Sequence, residues 1–370
     1  MKTYGIDAHL LLRQNATGVP RYARLLLEAM MATPLHDGES VVLYANSPQP
    51  DGLTLAPGWS WRMVPWPIAR GWTHGGLSVE LLRHSPDVLF VPGHEVPVLR
   101  RKKTKVVTTV HDVAFRRVAA SYPPRDRVRQ ELAVKQAIAR ADRLLTPSEA
   151  TKLDLGEFYG VDFSRVTVTH LAPTLPNAQG DEAIRKFQLR PGQYFLFVGR
   201  LEAKKNVAEL VRAFALLKQR LGYGNPQMLV LAGVFGYGED EIRLAIEESG
   251  CVNDIRVLGY VADDELAEIL QGALALVMPS KAEGFGIPML EAMASGVPVI
   301  ASDIPALQEV GGEAALYVRV NDMSSLLDAL QRMVFDGGMR EALVAQGAQR
   351  VQAFSWNACA KTTWEALRGV

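Results

Sequence analysis

Short apolar runs alternate with segments of helical periodicity along the whole chain. Strands are expected at residues 3–7, 41–44, 87–91, 105–110, 143–146 and 166–170. A second series is expected at 194–198, 228–232, 255–258, 275–278, 297–301 and 315–318. Several of these runs are apolar at every position, as in parallel strands covered on both faces by helices. Between them, Val19, Tyr22, Ala23, Leu26, Leu27 and Met30 recur at helical spacing, with Pro20 suited to a first turn. Val207, Leu210, Val211, Phe214 and Leu217 do the same after Asn206, an expected N-cap with Glu209 three residues on. Strand–helix alternation of this length predicts an α/β chain of doubly wound parallel sheets.

The pattern breaks at residues 172–181, Ala-Pro-Thr-Leu-Pro-Asn-Ala-Gln-Gly-Asp, which read as a linker. A first Rossmann-like domain is therefore expected over 1–175 and a second over 186–354, facing each other across a cleft. Residues 355–370 carry Trp356 and Trp364 and are expected to form a helix that packs back on the first domain.

Composition changes this picture little. The 370 residues are 48% hydrophobic and 22% charged with a formal net charge of zero, so nothing global points to nucleic acid. The charge is uneven, however. Residues 1–185 hold 23 Lys and Arg against 18 Asp and Glu, the excess lying mostly between Arg100 and Arg143. Cys251 and Cys359 offer neither metal-ligand spacing nor a disulfide framework. The first residues run straight into a strand-like segment and no apolar stretch reaches 18 residues, so the expected address is the cytoplasm.

Four loops follow strands and precede helices, where open α/β sheets bind ligands. In Asn15-Ala-Thr-Gly18-Val-Pro-Arg21-Tyr22, Gly18 either admits a phosphate or sugar close to the backbone or forms a plain turn. His111 and Asp112 end the strand at 105–110; they suit sugar hydroxyls, or serve as a structural histidine and a cap. Gly199-Arg200-Leu-Glu-Ala-Lys204-Lys205-Asn206 offers a guanidinium and an ammonium beside a helix start, a set able to neutralise a diphosphate or to stand solvated. In Glu283-Gly-Phe285-Gly286-Ile287-Pro-Met-Leu-Glu291 the glycines expose backbone N–H groups and Pro288 opens a helix. Glu291 can accept two hydrogen bonds from a vicinal diol, or merely complement the helix dipole.

The run from Glu283 to Val299 resembles the Glu-x7-Glu signature of the family 4 retaining glycosyltransferases of GT-B fold. Further matches occur in order: Val198-Gly-Arg-Leu-x3-Lys-Asn, Leu258-Gly-Tyr-Val-x-Asp-x-Glu-Leu, Ser302-Asp-Ile-Pro-Ala-Leu-x-Glu-Val-Gly-Gly, Thr109-Val-His-Asp and Gly18-x2-Arg-Tyr. The resemblance implies that Arg200 and Lys205 hold the donor diphosphate after Gly199, and that Glu291 binds the ribose. It places Glu283 by the donor sugar with backbone N–H groups of Phe285, Gly286 and Ile287 nearby, and Tyr260 and Val261 at the base. In the other domain it places His111 by the transferred sugar and Gly18 by the diphosphate, with Arg21 and Asp112 on the acceptor side.

The activity so implied is transfer of a hexose, with front-side attack and the leaving phosphate taking the acceptor's proton. No Asp-x-Asp metal motif occurs, so neither a cofactor nor a metal is expected. The overall motif pattern resembles that of bacterial mannosyl- and rhamnosyltransferases that build O-antigen or capsular polysaccharide. GDP-mannose is the first expectation for the donor, ahead of a UDP or dTDP sugar. The expected acceptor is a glycan on a polyprenyl diphosphate, and the basic N-terminal half suits peripheral contact with anionic membrane. A sugar-nucleotide epimerase, a glycogen-synthase-like polymerase and a non-catalytic nucleotide-sugar binder would share much of this pattern.

Overall fold

The computed structural model describes residues 1–9, 18–67, 71–174 and 178–370. Among the described residues, thirteen strands form two sheets, and every pairing between these strands is parallel. These are the two doubly wound sheets that the alternating pattern predicts.

The first sheet contains β1 (Lys2–Asp7), β2 (Glu39–Ala45), β3 (Trp59–Met63), β4 (Val88–Val91), β5 (Lys105–Thr109), β6 (Arg143–Thr146) and β7 (Val166–Val168). Its order is β3-β2-β1-β4-β5-β6-β7. Strand order therefore reverses direction between β1 and β4. β3 is absent from the expected strands because Trp-Ser-Trp-Arg-Met lies at an edge with only Trp59 buried, which leaves no apolar run to read.

The second sheet contains β8 (Tyr194–Val198), β9 (Met228–Ala232), β10 (Ile255–Gly259), β11 (Ala275–Met278), β12 (Val299–Ser302) and β13 (Leu316–Val318) in the order β10-β9-β8-β11-β12-β13. Here the reversal falls between β8 and β11. β12 starts two residues later than expected, because Pro298 has no N–H for the ladder; its carbonyl accepts from Leu276 N instead. Helix Val207–Leu221 buries Val207, Leu210, Val211, Phe214 and Leu217 against Phe195, Phe197, Leu229 and Leu231, the face its spacing predicts.

Asn206 departs from expectation. It sits in the left-handed region at φ 58° and makes no side-chain cap; its carboxamide instead donates to Glu209. The capping box expected there is thus replaced by a side-chain pair.

Two compact units emerge. The first comprises Met1–Val113, Val128–Leu171 and Ser355–Val370; the second comprises Ala114–Arg127 and Ala172–Phe354. The first domain expected from the sequence is unbroken to residue 175, whereas Ala114–Arg127 groups with the second unit, where the Lys204 ammonium lies over the Tyr122 ring at 5.6 Å. Residue 175 itself, like the rest of 175–177 in the expected linker, lies outside the described residues.

Helix Trp356–Arg368 belongs to the first unit and is capped by Ser355, whose hydroxyl accepts from Ala358 N. Trp364 is buried edge-on to Tyr4 and Trp59, at 5.3 and 6.0 Å, and Arg368 grips Glu39 through two hydrogen bonds of 3.0 and 2.8 Å. Among the described residues, no helix is long and apolar enough to cross a membrane.

Candidate functional site

In the second unit, the expected donor-side residues line the carboxyl edge of four neighbouring strands. β8 ends at Gly199, whose φ of 140° is a conformation that side chains disfavour. Gly199 N donates to Ala232 O at the end of β9, and Gly233 follows so closely that a Cβ there would lie 1.9 Å from Gly199 O. The loop after Gly199 is then stitched to the loop after β9. Leu201 N donates to Val234 O, Gly236 N to Leu201 O and Ala203 N to Tyr237 O, at 2.8–2.9 Å. Gly233 and Gly236 were not singled out from the sequence, although Gly-x2-Gly-x-Gly directly after an apolar strand was a legible signal.

Arg200 presents a side chain that is 63% exposed, its Nε 3.8 Å from Glu202. Lys205 lies in the short turn Ala203–Lys205 and is mostly buried; its ammonium donates to Glu283 Oε1 at 2.6 Å. Ser280 Oγ donates to the same oxygen at 2.7 Å. Burial alone would raise the Glu283 carboxyl, but the Lys205 and Lys204 charges and these two hydrogen bonds outweigh it and hold the group below its ordinary range. Lys205 and Glu283 come from opposite sides of the strand-order reversal, β8 and β11, where open sheets form a ligand crevice. A further tie, Lys281 N to Lys204 O at 2.8 Å, joins the same two loops.

Gly286 precedes helix Ile287–Ala294 with φ 114°, and a Cβ there would stand 2.6 Å from Leu307 Cδ2, so glycine is required twice over. The Phe285 ring is buried against Phe354 at 5.8 Å, leaving its backbone as the part open to a ligand role. Glu291 is buried and accepts a hydrogen bond from the Thr174 hydroxyl, so one carboxylate oxygen is engaged by the segment read as linker. Nothing in the sequence marked Thr174. At the far side of the edge, Gly259 ends β10 with φ 70° and bridges to Gly233, followed by exposed Tyr260 and buried Val261.

The first unit holds the remaining candidates. Gly18, φ 62°, stands just before helix Val19–Met31, and a Cβ there would meet nothing within 4 Å; the backbone, not space, selects glycine. Asn15, Ala16 and Thr17 of that loop lie outside the described residues. Arg21 is half-buried on the first helical turn. Tyr22 is buried one residue on, its hydroxyl 3.1 Å from Thr109 Oγ1 and its ring 4.7 Å from that of His111, nearly perpendicular.

His111 Nε2 lies 2.8 Å from the Pro92 carbonyl, which can only accept, so Nε2 carries the proton and Nδ1 keeps its lone pair. Burial, offset in part by that carbonyl, lowers the His111 pKa to about 4. The imidazole is neutral through the physiological range. Asp112 is half-buried beside it. His94, in the loop after β4, was also missed, although Pro-Gly-His directly after a buried strand marks it.

The family "Glycosyl transferases group 1" matches residues 181–350, and "Glycosyltransferase Family 4" matches residues 16–172. O-antigen chain mannosyltransferase B of Escherichia coli is 32% identical over 276 residues, covering 73% of this chain and 72% of that protein. A D-inositol 3-phosphate glycosyltransferase of Actinosynnema mirum is 32% identical over 308 residues, covering 77% and 73%. Among solved structures, sucrose-phosphate synthase from Thermosynechococcus elongatus superposes with a TM-score of 0.77 at 21% identity, covering 100% of this chain and 99% of its own.

Proposed function

Since the chain belongs to the family 4 glycosyltransferases and has the GT-B fold, we propose that it is a retaining mannosyltransferase that moves mannose from GDP-mannose to a glycan on a polyprenyl diphosphate. The observation that carries this reading is the pairing of Lys205 with Glu283 where strand order reverses in the second sheet, with Arg200 on the same loop as Lys205. Breaking the bond between the sugar C1 and its phosphate oxygen leaves negative charge on the diphosphate. Arg200, Lys205 and the N-terminus of helix Ile287–Ala294 stabilise that charge, a preorganised arrangement that needs no metal ion. Glu291 takes the ribose hydroxyls, and the loop at Tyr260 and Val261 meets the base. The acceptor oxygen attacks C1 on the face that the phosphate leaves, and its proton passes to the departing phosphate oxygen.

Mannose and the lipid-linked glycan rest on the likeness to the O-antigen chain mannosyltransferase. An equal identity to the D-inositol 3-phosphate glycosyltransferase favours a second reading, a phosphorylated polyol as acceptor. Thermal-shift titration with GDP-mannose, UDP-glucose, dTDP-rhamnose and inositol 3-phosphate tests donor and acceptor together. GDP-mannose is expected to raise Tm most; stabilisation by none of the nucleotide sugars would overturn the enzyme reading itself. Proton NMR of the product should show the donor's anomeric configuration retained. Activity should persist in EDTA, and loss restored by manganese would defeat metal independence.

Contact with an anionic membrane is supported by one face of the first unit. Val79, Leu82, Val98 and Leu99 are exposed there, next to exposed Arg101, Lys102 and Lys103. Arg101 donates to the Leu82 and Arg83 carbonyls at 2.8 and 3.1 Å, and Leu99 N to Ser78 Oγ at 3.2 Å, so the basic and apolar groups adjoin. Such a face suits interfacial binding. Recruitment to phosphatidylglycerol vesicles at low salt, lost in Leu99→Ser/Lys102→Glu, is the expected result; no recruitment of the unaltered chain would sink it.

A further inference from the structure

We propose that His94, with His111 and Asp112, forms a subsite for a sugar ring at the carboxyl edge of the first sheet, where His94 Nδ1 hydrogen-bonds a pyranose hydroxyl of the substrate. This rests on the glycosyltransferase reading and adds a contact that the family motifs in this chain do not contain.

Position is the first argument. Strand order in the first sheet reverses between β1 and β4, and His94 lies three residues beyond the end of β4, on the rim of that crevice. The strand beside it, β5, leads directly into His111 and Asp112.

Rigidity is the second. Thr108 Oγ1 donates to the Gly93 and Val91 carbonyls at 2.5 and 3.2 Å, and His111 Nε2 to the Pro92 carbonyl at 2.8 Å. Beyond His94, Gln136 donates to Val96 O at 3.1 Å and Arg140 to Val98 O at 2.5 Å. The backbone is thus fastened on both sides of His94, as a site that must meet a rigid ring requires.

The third argument is a missing partner. His94 Nδ1 is buried and has no hydrogen-bond partner among the described residues. A buried polar nitrogen left unsatisfied is costly, and such groups are few in native structures. A ligand hydroxyl would satisfy it.

Charge is the last. Burial holds both imidazoles below the ordinary histidine pKa; for His94 the fields of Asp112 and Glu95 oppose that shift and Arg129 adds to it. Two neutral rings beside a carboxylate suit uncharged hydroxyls better than phosphate.

The test uses the imidazole nitrogen resonances of the 15N-histidine-labelled full chain, with His94 assigned through His94→Asn. Probes are GDP, GDP-mannose and the methyl α-glycosides of mannose, glucose and rhamnose. A shift of the His94 Nδ1 resonance with a methyl glycoside assigns the subsite to the acceptor sugar. A shift with GDP-mannose but not GDP assigns it to the transferred sugar. No shift with any sugar-bearing probe, or the same shift with GDP alone, overturns the proposal.

In turnover, His94→Ala should raise KM for the sugar concerned about tenfold, and His94→Asn should recover most of that loss. Unchanged kinetics in His94→Ala also overturn it. Failure here would leave the Tm response to nucleotide sugars intact, whereas failure of the enzyme reading would abolish that response.

Discussion

The carboxyl edges of the two sheets carry different side-chain chemistry on the same strand order. At the edge of the second sheet, Lys205 and Glu283 form an ion pair of 2.6 Å across the strand reversal, and Arg200, after the same strand as Lys205, keeps a largely exposed side chain. At the edge of the first sheet, His111 commits its one proton to the Pro92 carbonyl at 2.8 Å and stays uncharged. A diphosphate needs fixed positive charge, whereas sugar hydroxyls need neutral donors and acceptors. Under the proposed reading, the contrast places charge where charge must develop during transfer. Lys205 is also not a bare cation. Glu283 neutralises it, leaving Arg200 as the more open positive group at that edge.

The sharpest way to break this contrast is at Arg200. Its only described ion pair is the long, exposed one with Glu202, so Arg200→Ala should change stability by under about 0.5 kcal/mol. Steady-state kinetics should nevertheless show kcat down about a hundred- to a thousandfold, with donor KM altered far less. An effect confined to KM would refute a leaving-group role.

Next is Lys205→Ala, which strands the buried Glu283 carboxylate and should cost about 3 kcal/mol in urea denaturation. Lys205→Met combined with Glu283→Gln should recover most of that stability without recovering activity. If activity returned as well, the ammonium would have no role beyond its pair.

The neutral edge gives a pH signature. The unfolded chain protonates His111 near 6.5 while the folded chain resists until about 4. The folded state therefore binds fewer protons in that window, and this contribution to stability, present above 6.5, is lost as pH falls toward 4. Denaturation at pH 7 and pH 4.5 should show a drop of about 2 kcal/mol or more that His111→Gln removes. An identical drop in the variant would show that other groups carry it.

The smallest expected effect lies at Thr174→Val, which removes the hydroxyl that donates to Glu291. It should cost about 1 kcal/mol and change donor KM by no more than about threefold. A tenfold rise in KM would make Thr174 part of the ribose site.

Much of this comparison was legible in one dimension. Gly199, Gly286, Gly18 and Pro288 announced their loops because backbone geometry at a strand end or helix start restricts residue type, and such restrictions are local. Tertiary contacts were not legible. The Gly233 approach to Gly199, the Thr174 hydroxyl on Glu291 and the buried, unpartnered Nδ1 of His94 are all outcomes of how distant parts of the chain pack.

By itself, then, the sequence determined the alternation of strands and helices, the parallel sheets and the loops that carry chemistry. It could do so because periodicity and turn chemistry act over a few residues. Only the tertiary structure decided which charges are neutralised and which stay open. Lys218, on helix Val207–Leu221, is fully buried and held by Asp254 at 3.0 Å and by the Gln227 carbonyl. Lys205 and Glu283 are 78 residues apart and become a pair only when β8 and β11 lie side by side. Electrostatic state depends on distance and burial, and neither is written in the order of residues.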